Sequence, residues 1–246
     1  MLTVPYRGGV AEVPIHLYGG VAADRPVLIA SGGVDTWKID IHPMCIAAAQ
    51  STGATVLAVD MPGTGEIANL PLGAEADQVV LGVAQAAKAV GNGRVGHIAI
   101  SFGANFSAMT GLTGAVDAAV DNGGPVKDAF AREHITRLPY GMFDIVGNAI
   151  GFDRRPDIDD VIAVIGTLSR EKLLDQPDGN APMLVVNGAD DYFVPASDTL
   201  VFQGRPNTEV HLIPGTGHVA MSKMAEVMPM MLGWLRTQLQ RPGSAT

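Results

Sequence analysis

The sequence predicts an α/β fold: a mostly parallel, doubly wound sheet with an N-terminal antiparallel hairpin and a helical insertion. Short, wholly apolar runs recur along the chain, each followed by a Gly-rich turn and an alanine-rich stretch with helical spacing. That alternation calls for parallel strands joined by right-handed helical crossovers. It breaks once, between about residues 125 and 180, where two apolar helical patches follow each other with no strand between them. Of the 246 residues 47% are apolar and 17% charged, so the chain can bury a sizeable core and is not of a disordered composition. The length suits a single domain over 1–246, with a lid insertion at about 125–180.

The hairpin comes first. Residues 2–5 and 13–18 alternate around Gly8-Gly9, and the prolines at 5 and 14 suit a sheet edge rather than its centre. Strands buried on both faces follow at Val27–Ala30, Thr55–Val59, His97–Ile100, Val116–Val120, Met183–Val186 and Glu209–Ile213. Between them, Ala76–Val90 aligns Val79, Val80, Val83, Ala86, Ala87 and Val90 on one helical face. A terminal helix over Ala220–Leu239 repeats the pattern with Met221, Met224, Val227, Met231 and Leu235, a stripe that reads as core packing. The insertion carries patches at Met142–Ile150 and Ile158–Leu168 around the polar Asp153-Arg154-Arg155-Pro156-Asp157. An insertion of that length between strands is expected to lie over a site as a lid.

Composition narrows the function classes. Acidic residues outnumber basic ones 25 to 16, for a net charge of −9, so no nucleic-acid partner is expected. The single Cys45 allows neither an internal disulfide nor a zinc-type thiol set and reads as a buried apolar side chain. The first residues lack the apolar stretch of a signal peptide, and no run approaches the roughly 18 apolar residues of a membrane span. A cytoplasmic setting without a membrane partner is the expectation. Gly63-x-Gly65 opens no G-x-G-x-x-G helix and precedes no Walker lysine, so no nucleotide cofactor is expected, and no metal either.

The sharpest chemical signal is Ile98-Ala99-Ile100-Ser101-Phe102-Gly103, an apolar strand running directly into a serine and then into small residues. It matches the G-x-S-x-G nucleophile elbow with Ala99 in place of the first glycine; the turn is so sharp that the residues two before and two after must be small. A serine nucleophile needs a base, and the base an orienting acid. The strand ending at Val186 leads into Asn187-Gly188-Ala189-Asp190-Asp191-Tyr192-Phe193-Val194-Pro195, where Asp191 fits the acid position and Asp190 is the neighbouring alternative. The last strand leads to Pro214-Gly215-Thr216-Gly217-His218, which puts His218 on a Gly-rich turn as general base. The order Ser101, Asp191, His218 is that of the elbow hydrolases, with each residue at the carboxyl edge of the sheet, where open α/β sheets bind ligands.

An oxyanion requires main-chain donors. One is expected from Phe102, after the nucleophile, and one from Gly33 in Ser31-Gly32-Gly33-Val34-Asp35, with Val34 as the register alternative. Val34, Tyr140, Met142 and Phe143 are the expected substrate-binding residues, and Phe130 and Ile145 add to an apolar lid. Lys38, just after the loop, reads as an exposed lysine, or else as an extra cationic group in the site. The other histidines, His16, His42, His97, His134 and His211, read as structural or surface residues, with His42 kept in view because it follows the loop.

Gly32-Gly33-Val34-Asp35, Asp60-x-Pro62-Gly63-x-Gly65-Glu66, Ser101-x-Gly103-x-Asn105 and Gly217-His218 together resemble the FrsA-like group of α/β-hydrolases, which includes C–C bond hydrolases of the pseudooxynicotine and heptaketide-shortening types. Larger members carry a helical region ahead of the hairpin that shapes pocket and oligomer, and this protein is expected to do without it. The resemblance implies an α/β-hydrolase fold and a hydrophobic carbonyl substrate. The expected activity is that of a serine hydrolase cleaving an ester, thioester, lactone or ketone-adjacent C–C bond. The alternatives are an acyltransferase or lyase on the same fold, or a non-catalytic regulatory binding protein. The expected partners are a small molecule and at most a second copy as a homodimer.

Overall fold

The computed structural model describes residues 1–176 and 179–241, with Tyr140 described by its backbone only. Strands β1 (Leu2–Tyr6) and β2 (Gly9–Val13) form the antiparallel hairpin, but as a separate two-stranded sheet. The expected second hairpin strand over 13–18 is split at Pro14, which has no N–H to give to a ladder. The piece beyond it, β3 (Ile15–Tyr18), pairs antiparallel with β5 (Thr55–Val59) and forms the edge of the main sheet. The remaining strands, β4 (Val27–Ser31), β6 (Val95–Ile100), β7 (Ala118–Asn122), β8 (Met183–Gly188) and β9 (Thr208–Ile213), run parallel in the order β3-β5-β4-β6-β7-β8-β9.

Helices cover both faces, which is why β4 and β5 are buried at every position. On one face, α1 (His42–Thr52) and α9 (Met224–Gln240) pack on Leu28, Ile98, Val120 and Leu184. Val227, Met231 and Leu235 of the expected stripe are buried there, and Cys45 lies fully buried in the same layer. Met221 is not part of that layer. It lies ahead of the helix in a 3-10 segment, His218–Lys223, and is exposed, because Val219 and Ala220 both take φ of 54° and postpone the α-helix to Met224. On the other face lie α2 (Ala76–Lys88) and α3 (Phe102–Leu112). Every residue of α3 is buried, since the sheet lies beneath it and the insertion above.

The insertion between β7 and β8 carries α4 (Arg132–Ile135), α5 (Tyr140–Ile150), α6 (Ile158–Ile165) and α7 (Glu171–Leu174). Among its described residues there is no strand. Buried polar groups hold both of its ends. Asp198 of α8 (Ala196–Leu200) accepts the N–H groups of Val126, Lys127, Asp128 and Ala129 at 2.7–3.3 Å. Near the far end, the Arg170 guanidinium takes both oxygens of Asp77 (2.6 and 2.8 Å) and Oδ1 of Asn105. The Asn105 amide donates to Pro125 O at 2.7 Å and Leu168 O at 3.0 Å, so one side chain binds both ends.

Asp121, at the end of β7, has a pH consequence. Its Oδ1 accepts the Gly124 N–H at 2.8 Å, while its Oδ2 is buried and finds no partner among the described residues. Burial, against the Gly124 bond and with the Asp198 carboxyl nearby, pushes its pKa up from 3.8 to about 7. Between pH 4 and 7 the folded chain therefore keeps a proton that the unfolded chain has lost, so this group's contribution to stability declines as pH rises through that window. Asp121→Asn, neutral throughout, is expected to melt above wild type at pH 8 and to show no such gain near pH 4. Parallel pH–Tm curves for the two proteins would refute the assignment.

Candidate active site

β6 delivers Ser101. Its backbone has φ of 56° and ψ of −137°, a strained conformation for a non-glycine residue that turns the chain from strand into α3 in one step. The sharpness leaves no room two residues on: a Cβ on Gly103 would sit 1.9 Å from Gly32 O. Ala99 is fully buried.

His218 approaches from the turn after β9, with Nε2 2.8 Å from Ser101 Oγ. Its Nδ1 lies 2.7 Å from Asp191 Oδ2. A carboxylate can only accept, so Nδ1 carries the proton and Nε2 presents its lone pair to the serine hydroxyl. Burial works to raise the Asp191 pKa, but the hydrogen bonds from His218, Asn187 and Phe193 outweigh it and hold the carboxyl below its usual range. Asp190 does not take this place. Its side chain is exposed, and its backbone N–H donates to Thr216 O at 3.0 Å.

Residues absent from the sequence expectation complete the arrangement. Asn187, the buried penultimate residue of β8, donates to Asp191 Oδ2 at 2.8 Å, and its Oδ1 accepts the Gly188 and Val219 N–H groups. One amide therefore fixes the acid and the chain beyond His218. The Phe193 N–H donates to Asp191 Oδ1 at 2.8 Å, and its ring packs edge-on against His218 at 5.2 Å. The available signal for Asn187 was a polar side chain inside an apolar strand, just ahead of the acid turn.

The loop after β4 passes beside the serine. A Cβ on Gly33 would fall 2.9 Å from Ser101 Oγ and 3.5 Å from Phe102 N, so only glycine lets this backbone come so close. Phe102 opens α3, where an N–H has no intrahelical acceptor. Among the described residues, none accepts from the N–H groups of Gly33, Val34 or Phe102.

Ser101 and His218 open into a narrow cavity of about 60 Å³ beneath the insertion. All its other lining residues are apolar, Val34, Phe102, Met142 and Phe143 among them. Ile145, on the next face of α5, lines a separate open cavity of about 770 Å³ instead, and Val34 borders both. The side chain of Tyr140 lies outside the described residues.

One other expectation changes. Lys38 is not exposed: it is buried against Asp60 and Glu66, outside the apolar cavity. His42 is exposed, as a surface residue, with Nδ1 3.2 Å from Tyr18 Oη. His134 ties the insertion to the acid loop through Phe193 O, 2.9 Å from its Nε2. Among the described residues no group of three or more His, Cys, Asp or Glu is placed to hold a metal, and no helix is long and apolar enough to cross a membrane.

A family model described as esterase FrsA-like matches residues 2–214. The "Esterase FrsA" of Vibrio vulnificus strain YJ016 is 28% identical over 158 residues, covering 61% of this chain. That alignment takes in 37% of the relative, so the chain matches well under half the length of this curated protein. Among solved structures, AbyA5 superposes with a TM-score of 0.80 at 17% identity, over 96% of this chain and 70% of that one. A 2,6-dihydroxy-pseudo-oxynicotine hydrolase gives 0.79 at 16% identity, over 97% and 67%. An esterase of Pyrococcus furiosus gives 0.70 at 16%, over 98% and 90%. These likenesses show the α/β-hydrolase fold.

Proposed function

The chain belongs to the FrsA-like esterase family, and from that premise we propose that it is a serine hydrolase of small, apolar carbonyl esters. The observation that carries the reading is the continuous hydrogen-bonded line from Ser101 Oγ through His218 to Asp191, with links of 2.8 and 2.7 Å, at the mouth of a cavity otherwise lined by apolar groups. In this reading Ser101 Oγ attacks the carbonyl carbon as His218 Nε2 takes its proton. Asp191 holds Nδ1–H and stabilises the imidazolium. The unengaged N–H of Phe102, with that of Gly33 or Val34, receives the developing oxyanion. His218 then protonates the leaving alkoxide. Water, activated by the same imidazole, releases the acid from the acyl-enzyme.

The cavity sets the acyl group. It offers no charged partner and little room, which selects short, uncharged acyl chains. Met142 is the better probe of this wall than Phe143, because Phe143 is also part of the insertion's own core and its truncation would cost stability as well. Wild type is expected to be labelled by a fluorophosphonate at one site and to favour p-nitrophenyl acetate and butyrate over the octanoate. Met142→Ala should shift that preference toward the octanoate. No labelling and no ester turnover would refute the hydrolase reading, and an unchanged chain-length profile would remove Met142 from the acyl wall.

A further inference from the structure

We propose that the buried Lys38–Asp60 pair is the positioning element of the oxyanion loop, fixing the direction in which the Gly33 and Val34 N–H groups point. The inference rests on the hydrolase reading. Lys38 follows Val34 by four residues, and Asp60 is the first residue past β5. One carboxylate grips Lys38 twice: Oδ1 accepts its backbone N–H at 2.8 Å and Oδ2 its ammonium at 2.5 Å. Oδ2 also accepts the Glu66 N–H at 3.0 Å, and Glu66 Oε2 meets the same ammonium at 2.5 Å. The chain comes so close here that a Cβ on Gly65 would lie 2.4 Å from the Asp60 carboxyl. The side chains of Lys38 and Asp60 are 3% and 2% exposed.

Such a pair does little for net stability, because desolvating two charges offsets most of their attraction. What it supplies is geometry. The loop hangs between two anchors, the ladder of β4 at Ser31 and the Asp60 grip at Lys38. Among the described residues the backbone between them makes one internal bond, a long one of 3.4 Å from Thr36 N to Gly33 O. Trp37, next to the Lys38 anchor, is held from outside the stretch: Asp40 Oδ2 accepts its N–H at 2.8 Å, and the Asp40 and Ile41 N–H groups donate to its carbonyl. The bare part is therefore residues 32–35. A loop so sparsely braced keeps its free N–H groups aimed only if its far end is fixed in both position and rotation. A carboxylate that binds the main chain and the side chain of one residue does both. Burial works to lower the Lys38 pKa, but its bonds to Asp60 and Glu66 outweigh this and raise it, so the ammonium persists.

The test uses p-nitrophenyl butyrate and butylboronic acid, a probe that forms a tetrahedral adduct on a reactive serine. In Asp60→Asn and Lys38→Met, kcat should fall on the order of 10–100-fold while KM stays within about twofold. The boronate Kd should rise by the same factor as kcat falls, a correlation that a general loss of packing would not produce. Glu66 is largely exposed and its variant keeps the inner pair, so Glu66→Gln should fold and show a smaller, several-fold fall in kcat at unchanged KM. If the first two variants fail to fold, Glu66→Gln decides. Wild-type kcat and boronate affinity in the folded variants, or a loss confined to KM, would overturn the proposal. A wild-type protein that neither turns over the ester nor reacts with a fluorophosphonate would instead overturn the hydrolase reading beneath it.

Discussion

Ser101→Ala is expected to abolish ester turnover, with kcat falling by about 10⁶, the scale seen when the nucleophile of a serine hydrolase is removed. The hydroxyl has no structural duty that alanine would leave undone: its hydrogen-bond partner is His218 Nε2 at 2.8 Å. Alanine can keep the φ of 56°, because it adds no atom beyond Cβ to the crowded elbow. The melting temperature should therefore move little, while covalent labelling by a fluorophosphonate disappears. Substantial turnover by a clean preparation of the folded variant would exclude Ser101 as the attacking group.

Asp191→Asn should cost about 10⁴ in kcat, by analogy with the same change in serine proteases. An asparagine fills the same space, but its amide favours the wrong imidazole tautomer and carries no charge to stabilise the imidazolium. The Asn187 amide, which now donates to Asp191 Oδ2 at 2.8 Å, would face either an uncharged acceptor or another amide donor. Asp190→Asn should leave kcat within about threefold of wild type, since that side chain is exposed and what holds its position is its backbone bond to Thr216. A severe loss at Asp190 with normal kinetics at Asp191 would reverse the assignment of the acid.

Much of this arrangement was legible from the chain because its causes are local. An apolar run ending at Ile100, followed by Ser101 and Gly103, specifies a turn that tolerates only small neighbours, and the turn alone places the hydroxyl at the sheet edge. The Gly32-Gly33 pair likewise marks a backbone that must pass close to something. The hairpin was visible as alternation. Its separation from the main sheet was not, because the alternation fixes which side chains share a face and leaves open which strand they pair with.

What the sequence determined by itself, then, is whatever depends on neighbours a few residues away: strand and helix periodicity, the elbow, the glycine turns, and the order in which serine, acid and histidine reach one edge of the sheet. Tertiary structure decided the rest. Asn105 meets Arg170 65 residues away, Arg170 meets Asp77 93 residues away, and Asp198 gathers N–H groups some 70 residues upstream. Lys38 is buried for the same reason, because the carboxylate that compensates it lies 22 residues on, across a strand and a helix. Burial of apolar groups is non-directional and so can be read from composition and period. A buried polar group is tolerable only with a specific partner at hydrogen-bonding distance, and that partner exists only once the chain has folded.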